Sequence, residues 1–168
     1  MQKRSADSEV FLPRKLSDDL IKICLDALPH KAYGLVGGTD IYHPKSFYPC
    51  SSNLRNTAEW KRIFESFGDF YKNPDLGFVI APPEVRQVME MMEEREEMLV
   101  GVFHSHRYLP AEPSEADISL SSDSSVFCYI ISVVDPSNPK LAIFRLDSGG
   151  YRKISIRTRW ESRLGMLI

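Results

Sequence analysis

Only three cysteines occur along the chain, Cys24, Cys50 and Cys128, and no two of them share a CxxC spacing. An odd, scattered set argues against a disulfide framework and against a thiolate zinc site. Cys24, in a helical apolar pattern, and Cys128, in an apolar strand, read as small buried hydrophobes. Long apolar runs are missing as well. No stretch approaches the roughly 18 residues of a membrane span, and the opening MQKRSADSEVFLPRK holds no apolar core of signal-peptide length. The expectation is a cytoplasmic protein with no membrane attachment. Charge of one sign is lacking too: Lys plus Arg is 21, Asp plus Glu is 23, and the net charge is −2. That balance leaves no nucleic-acid footprint. One basic stretch, Arg152, Lys153, Arg157, Arg159 and Arg163 against Glu161, reads as a solvated strand and tail. Repeats, low-complexity tracts and linkers are also absent.

What is present suits a single domain. Apolar residues make up 43% and charged residues 26% of the 168, enough for one sizeable core in one domain. The first dozen residues read as loose. Ser17-Asp18-Asp19 looks like a helix start, with Leu20, Ile21, Cys24, Leu25 and Leu28 at helical spacing and Pro29 as the stop. Strands follow at 32–37, closed by Gly37-Gly38, and at 46–50, after a turn around Pro44. Trp60, Ile63, Phe64, Phe67 and Tyr71 mark an amphipathic helix ending near Asn73-Pro74, and its aromatic stripe reads as core. Phe78-Val79-Ile80 reads as a short strand. Pro82-Pro83 opens a helix with Val85, Val88, Met89 and Met92 on one face, and its acids form a solvated face. Strands are expected at 98–104, 126–134, 140–146 and 151–157, with a short helix from Ser114. The alternation gives an α/β fold with a mixed β-sheet flanked by helices.

His104 and His106 sit two apart at the end of a strand, so their side chains leave it on one face. Two imidazoles can then converge on one ion, and zinc accepts imidazole nitrogen and carboxylate oxygen. A third ligand must come from another element. Asp117 lies beyond a proline-containing loop, one turn into the short helix. Ser114-x-x-Asp117 is also a helix-capping pattern, and a lone His-x-His is commonly an ordinary surface or core pair. The four residues together, at fixed spacings, favour a metal site.

His104-Ser105-His106, seven residues, then Ser114-x-x-Asp117 resembles the signature of the JAMM (JAB/MPN+) metalloprotease family. Pro29–Gly38 (PHKAYGLVGG) resembles the family's P-x-E-x-C-G-x-L-x-G entry. Asn53 and the Val100-Gly101-Val102-Phe103 approach to the histidines also fit. The resemblance covers about residues 17–157. It implies a cytidine-deaminase-like sandwich, with Zn2+ held by His104, His106 and Asp117 and an oxyanion steadied by Ser114. It also implies a metallopeptidase or isopeptidase acting at the tail of a ubiquitin-like or sulfur-carrier protein. Such a tail is expected to enter by adding a strand to a sheet edge, with 107–113 and 38–56, near the motif ends, as its rims.

Three positions depart from the pattern. The family's catalytic Glu aligns with Lys31, its Cys with Tyr33, and the Pro after the second histidine with Arg107. A carboxylate at position 31 would take the proton of the attacking water and pass it to the leaving amine, and an ammonium cannot. Glu112, in the motif loop, is a candidate substitute acid. Lys31 also leaves open a zinc-bearing but catalytically silent module that binds a ubiquitin-like tail. A metal-free scaffold is a third reading, against which the intact His-His-Asp set argues.

Overall fold

The computed structural model describes residues 9–121 and 124–159. Strand β1 (Glu9–Phe11) leads into helix α1 (Arg14–Asp26), then β2 (Tyr33–Asp40) and β3 (His43–Pro49). Helices α2 (Ala58–Glu65) and α3 (Pro82–Glu94) precede β4 (Met98–His106), α4 (Glu115–Leu120), β5 (Phe127–Ser132), β6 (Lys140–Asp147) and β7 (Gly150–Arg157). The strands make one mixed sheet in the order β1-β7-β6-β5-β4-β2-β3. It curls until its two edges meet, where the Phe11 N–H donates to the Tyr42 carbonyl at 2.9 Å.

Strand alternation divides the core between the two faces of the sheet. Val36, Phe103, Tyr129 and Ile131 pack with Leu20 and Cys24 of α1 on one face. Leu35 and Tyr48 pack with Val88 and Met92 of α3 on the other. Gly34 sits where β2 presses closest to its neighbours. A Cβ there would run into the Tyr48 carbonyl and the Phe103 ring. The pairing of β4 with β5 is parallel, so the chain must cross over between them. That crossover is the loop 107–113 followed by α4, and it returns across the face that carries His104 and His106.

The mixed α/β sheet agrees with the sequence reading, and several local expectations are corrected. Of the first dozen residues, 1–8 lie outside the described residues, and 9–11 are ordered because they pair in parallel with β7. Helix α1 starts at Arg14 behind Pro13, whose fixed φ suits a helix entry, and the Ser17 N–H already donates to the Pro13 carbonyl. The helix expected over 60–71 breaks after Glu65. Gly68, at φ 122°, turns the chain into a separate 3-10 turn at Asp69–Lys72. Residues 78–80 are not a strand. The Val79 N–H and carbonyl are claimed by the Asn53 side chain and the Leu54 N–H, so the segment pairs with a loop. Met89 is exposed rather than on the packed face of α3. The turn before β3 falls at residues 41–42, and Pro44 lies within the strand. No described helix is long and apolar enough to cross a membrane.

Glu84, in the first turn of α3, fastens that helix to the loop after β3. Its carboxylate accepts the Ser51 N–H at 2.8 Å and the Ser52 N–H at 2.9 Å, together with both serine hydroxyls. Burial pushes its acidity weaker, but the hydrogen bonds from Ser52 and Ser51 win and hold its pKa below the usual 4.5. The stabilisation is therefore complete above about pH 4.5 and is lost as pH falls through the lowered folded-state value. Glu84→Gln should lower stability by about 1–2 kcal/mol at neutral pH. In denaturant melts the gap to the parent should narrow toward pH ~3. A gap that stays constant over that range would remove Glu84 from the acid sensitivity.

Candidate metal centre

The three residues expected as ligands converge. His104 Nε2 lies 3.2 Å from Asp117 Oδ1, His106 Nε2 lies 3.3 Å from Asp117 Oδ2, and the two Nε2 atoms are 3.0 Å apart. Both histidines are buried and Asp117 nearly so. The positions follow from three local devices. Strand alternation aims residues 104 and 106 the same way and turns Ser105 to the α1 face. His106 Nδ1 donates to the Pro110 carbonyl at 2.8 Å, which fixes the tautomer and leaves Nε2 bare. Asp117 is oriented by a capping box: its Oδ2 accepts the Ser114 N–H at 2.8 Å, and Ser114 Oγ accepts the Asp117 N–H at 3.2 Å. The capping reading of Ser114 is therefore borne out. Its oxygen lone pair caps the helix, while its O–H remains available at the cavity it lines.

These donor groups suit a small cation. Burial draws the His104 imidazole down to about 4, against the pull of Asp117, so the ring is neutral at neutral pH. Burial alone would raise Asp117, but His104 and His106 hold it well below the usual carboxylate range. The neutral His104 ring, the His106 ring and one carboxylate thus offer ligand atoms within 4.8 Å of one another. His104 Nδ1 is buried with no hydrogen-bond partner among the described residues. Two nitrogens, one carboxylate oxygen and room for a fourth ligand match what zinc accepts in an open site.

A cavity of about 270 Å³ lies against this cluster, walled by Phe64, Tyr71, Phe78, Val102 and Cys128. Phe78 stacks on Tyr33 at 5.0 Å between ring centroids and leans on His104 at 5.3 Å. Lys31 also lines the cavity, with its Nζ 5.6 Å from the centre of the Phe78 ring. Burial lowers its pKa to about 8, against the raising pull of Asp117 and with help from Arg107. Arg107 is tied down at the rim, donating to the Pro29 carbonyl and, at 3.1 Å, to the Asp75 carbonyl. Glu112 is exposed and outside the cavity lining. Residues 107–109 line the cavity and none of 38–56 does.

Several contributors escaped the sequence reading. Phe78 was hidden in an apolar triplet that looked like a strand. Cys128 is only partly buried and faces the cavity. Pro110 orients His106 through its carbonyl, and a loop proline carries no signal of such a role. Ser105 grips the start of β2: its Oγ accepts the Ala32 N–H at 2.9 Å, and its own N–H donates to the Ala32 carbonyl at 2.8 Å.

The family described as prokaryotic homologs of the JAB domain matches residues 13–147. Curated relatives from Mycobacterium tuberculosis and Mycobacterium bovis, each named CysO-cysteine peptidase, are 30% identical over 66 residues. That match covers 39% of this chain and 45% of theirs, so the chain spans less than half the length of these relatives. A solution structure of a Desulfitobacterium hafniense protein superposes with TM-score 0.69 at 25% identity, covering 92% of this chain and 96% of that one. A Salinibacter ruber protein, at 22% identity and TM-score 0.56, covers 86% of this chain and 88% of its own and shares the fold. With the family match running across most of its length, the chain belongs to the prokaryotic JAB-domain family.

Proposed function

We propose that the chain is a zinc-dependent metallopeptidase or isopeptidase of the JAMM type, acting on the tail of a ubiquitin-like or sulfur-carrier protein. The observation that carries this reading is the convergence of His104, His106 and Asp117 beside one cavity. These three residues would hold Zn2+, which when bound supplies Lewis-acid polarisation and activates water. The Ser114 O–H would donate to oxygen that gains negative charge during the reaction. Membership of the JAB family supports a peptidase-like role, and the printed name of the mycobacterial relatives supports a sulfur-carrier tail.

Lys31 sets the rate in this proposal. With a pKa of about 8 it is mostly protonated at neutral pH and accepts no proton there. Turnover is accordingly slow. The second reading, a zinc-bearing module that binds a tail without cutting it, is favoured by this same ammonium.

Zinc-replete protein should carry about one zinc per chain by elemental analysis, and His104→Ala or Asp117→Ala should lose it. A zinc-free result after metal-replete purification would sink the proposal. Lys31→Glu should hydrolyse a peptide-linked carrier at least about 100-fold faster than the parent, both zinc-loaded. Equal rates would remove position 31 from the base role. Ser114→Ala should cost roughly 1 kcal/mol in melting. In the Lys31→Glu background it should also slow turnover by about 100–1,000-fold. Lost stability with unchanged turnover would mean that the hydroxyl only caps the helix.

A further inference from the structure

Two cations border the cavity, and they differ in what they have for partners. Arg107 spends its guanidinium on the Pro29 and Asp75 carbonyls. Lys31 makes no hydrogen bond or ion pair to any described residue; its ammonium lies over the Phe78 ring and feels Asp117 only at longer range. An ammonium lining a mostly apolar cavity without an acceptor is a costly arrangement unless a ligand supplies the missing anion. Among the described residues, two carboxylates line the cavity, Asp117 and Asp75. Asp117 is committed to the two imidazoles and the Ser114 N–H. The backbone of Asp75 is clamped by Arg107, and its side chain forms no ion pair with Lys31.

From this pairing of a free ammonium with the His-His-Asp cluster, we infer that the cavity binds the free C-terminal carboxylate of a peptide tail, with Lys31 as its counter-ion. The inference rests on the tail-binding part of the function proposed above and names the form of the tail: ended by a carboxylate rather than continued by an amide. A neutral amide offers Lys31 one carbonyl oxygen and no charge. A carboxylate offers a full charge and a second oxygen, so one oxygen can face Lys31 while the other faces the cluster. Any cation held by the cluster strengthens the preference, because it adds positive charge that Asp117 alone does not balance. Phe78, held by stacking on Tyr33 and leaning on His104, walls the ammonium on one side.

The test is a calorimetric titration of a short acetylated Gly/Ala-rich peptide, made once with a free carboxylate and once with a terminal carboxamide. Each form is titrated into zinc-loaded and metal-free protein, for the parent, Lys31→Gln and Lys31→Arg. The parent should bind the carboxylate form at least about tenfold more tightly than the carboxamide in both metal states. Lys31→Gln should lose most of that ratio while keeping its carboxamide affinity, which also reports that the variant is folded. Lys31→Arg should retain much of the ratio. A parent without preference, or a ratio unchanged in Lys31→Gln, overturns the inference while leaving tail binding intact. Failure of both peptides to bind the zinc-loaded parent overturns tail binding itself, and the inference with it.

Discussion

The joint between Ala32 and Ser105 governs the geometry of everything around the cavity. Ser105 sits between the two histidines, and the alternation of a strand obliges it to point away from them. Its hydroxyl accepts the Ala32 N–H while its backbone N–H reaches the Ala32 carbonyl, a two-point clasp buried on the α1 face. Because Lys31 is the next residue back, the clasp holds the ammonium and the imidazoles in one frame. Losing it would leave buried backbone groups unpaired and free the start of β2 to shift, changing the distance between two positions far apart in sequence.

Topology supplies the rest. The parallel step from β4 to β5 cannot be made by a tight turn, so the chain spends the residues between His106 and Phe127 on a crossover. This detour brings in the third acid. Asp117 then serves twice, as the acidic partner of the capping box and as the oxygen donor facing the histidines. The two duties reinforce each other, since the cap fixes the carboxylate plane before any ligand arrives. Pro110 plays a comparable part for His106, through a carbonyl rather than a side chain.

What the sequence revealed, and what it concealed, follows from the range of the interactions involved. His104, His106, Ser114 and Asp117 were legible because short spacings within strands and helix caps have fixed geometry. The α/β layering was legible because α1, α3, β4 and β5 are long enough to show their periods. The start of α1 was misplaced because three polar residues at Ser17 resembled a cap more than Pro13 did. The aromatic run from Trp60 to Tyr71 kept a helical period across Gly68, so hydrophobic spacing alone could not show the break. Residues 78–80 were misread because their backbone partners, Asn53 and Leu54, lie far away in the chain. Cys128 was read as core because β5 is apolar on both sides, and only the crossover leaves a space beside it.

The seam between β1 and β7 joins Glu9–Phe11 to Ser155–Arg157, bridging almost the entire described chain. Closing so long a loop brings its entropic cost before its reward, which places this seam late in folding. Until it closes, β7 is an open strand edge that a second chain can pair with and aggregate upon. Arg152, Lys153 and Arg157 are exposed along it, and like charges of this kind repel an approaching identical strand. Of the basic stretch, Glu161 and Arg163 lie outside the described residues, and Arg157 settles over the Phe11 ring when the seam shuts.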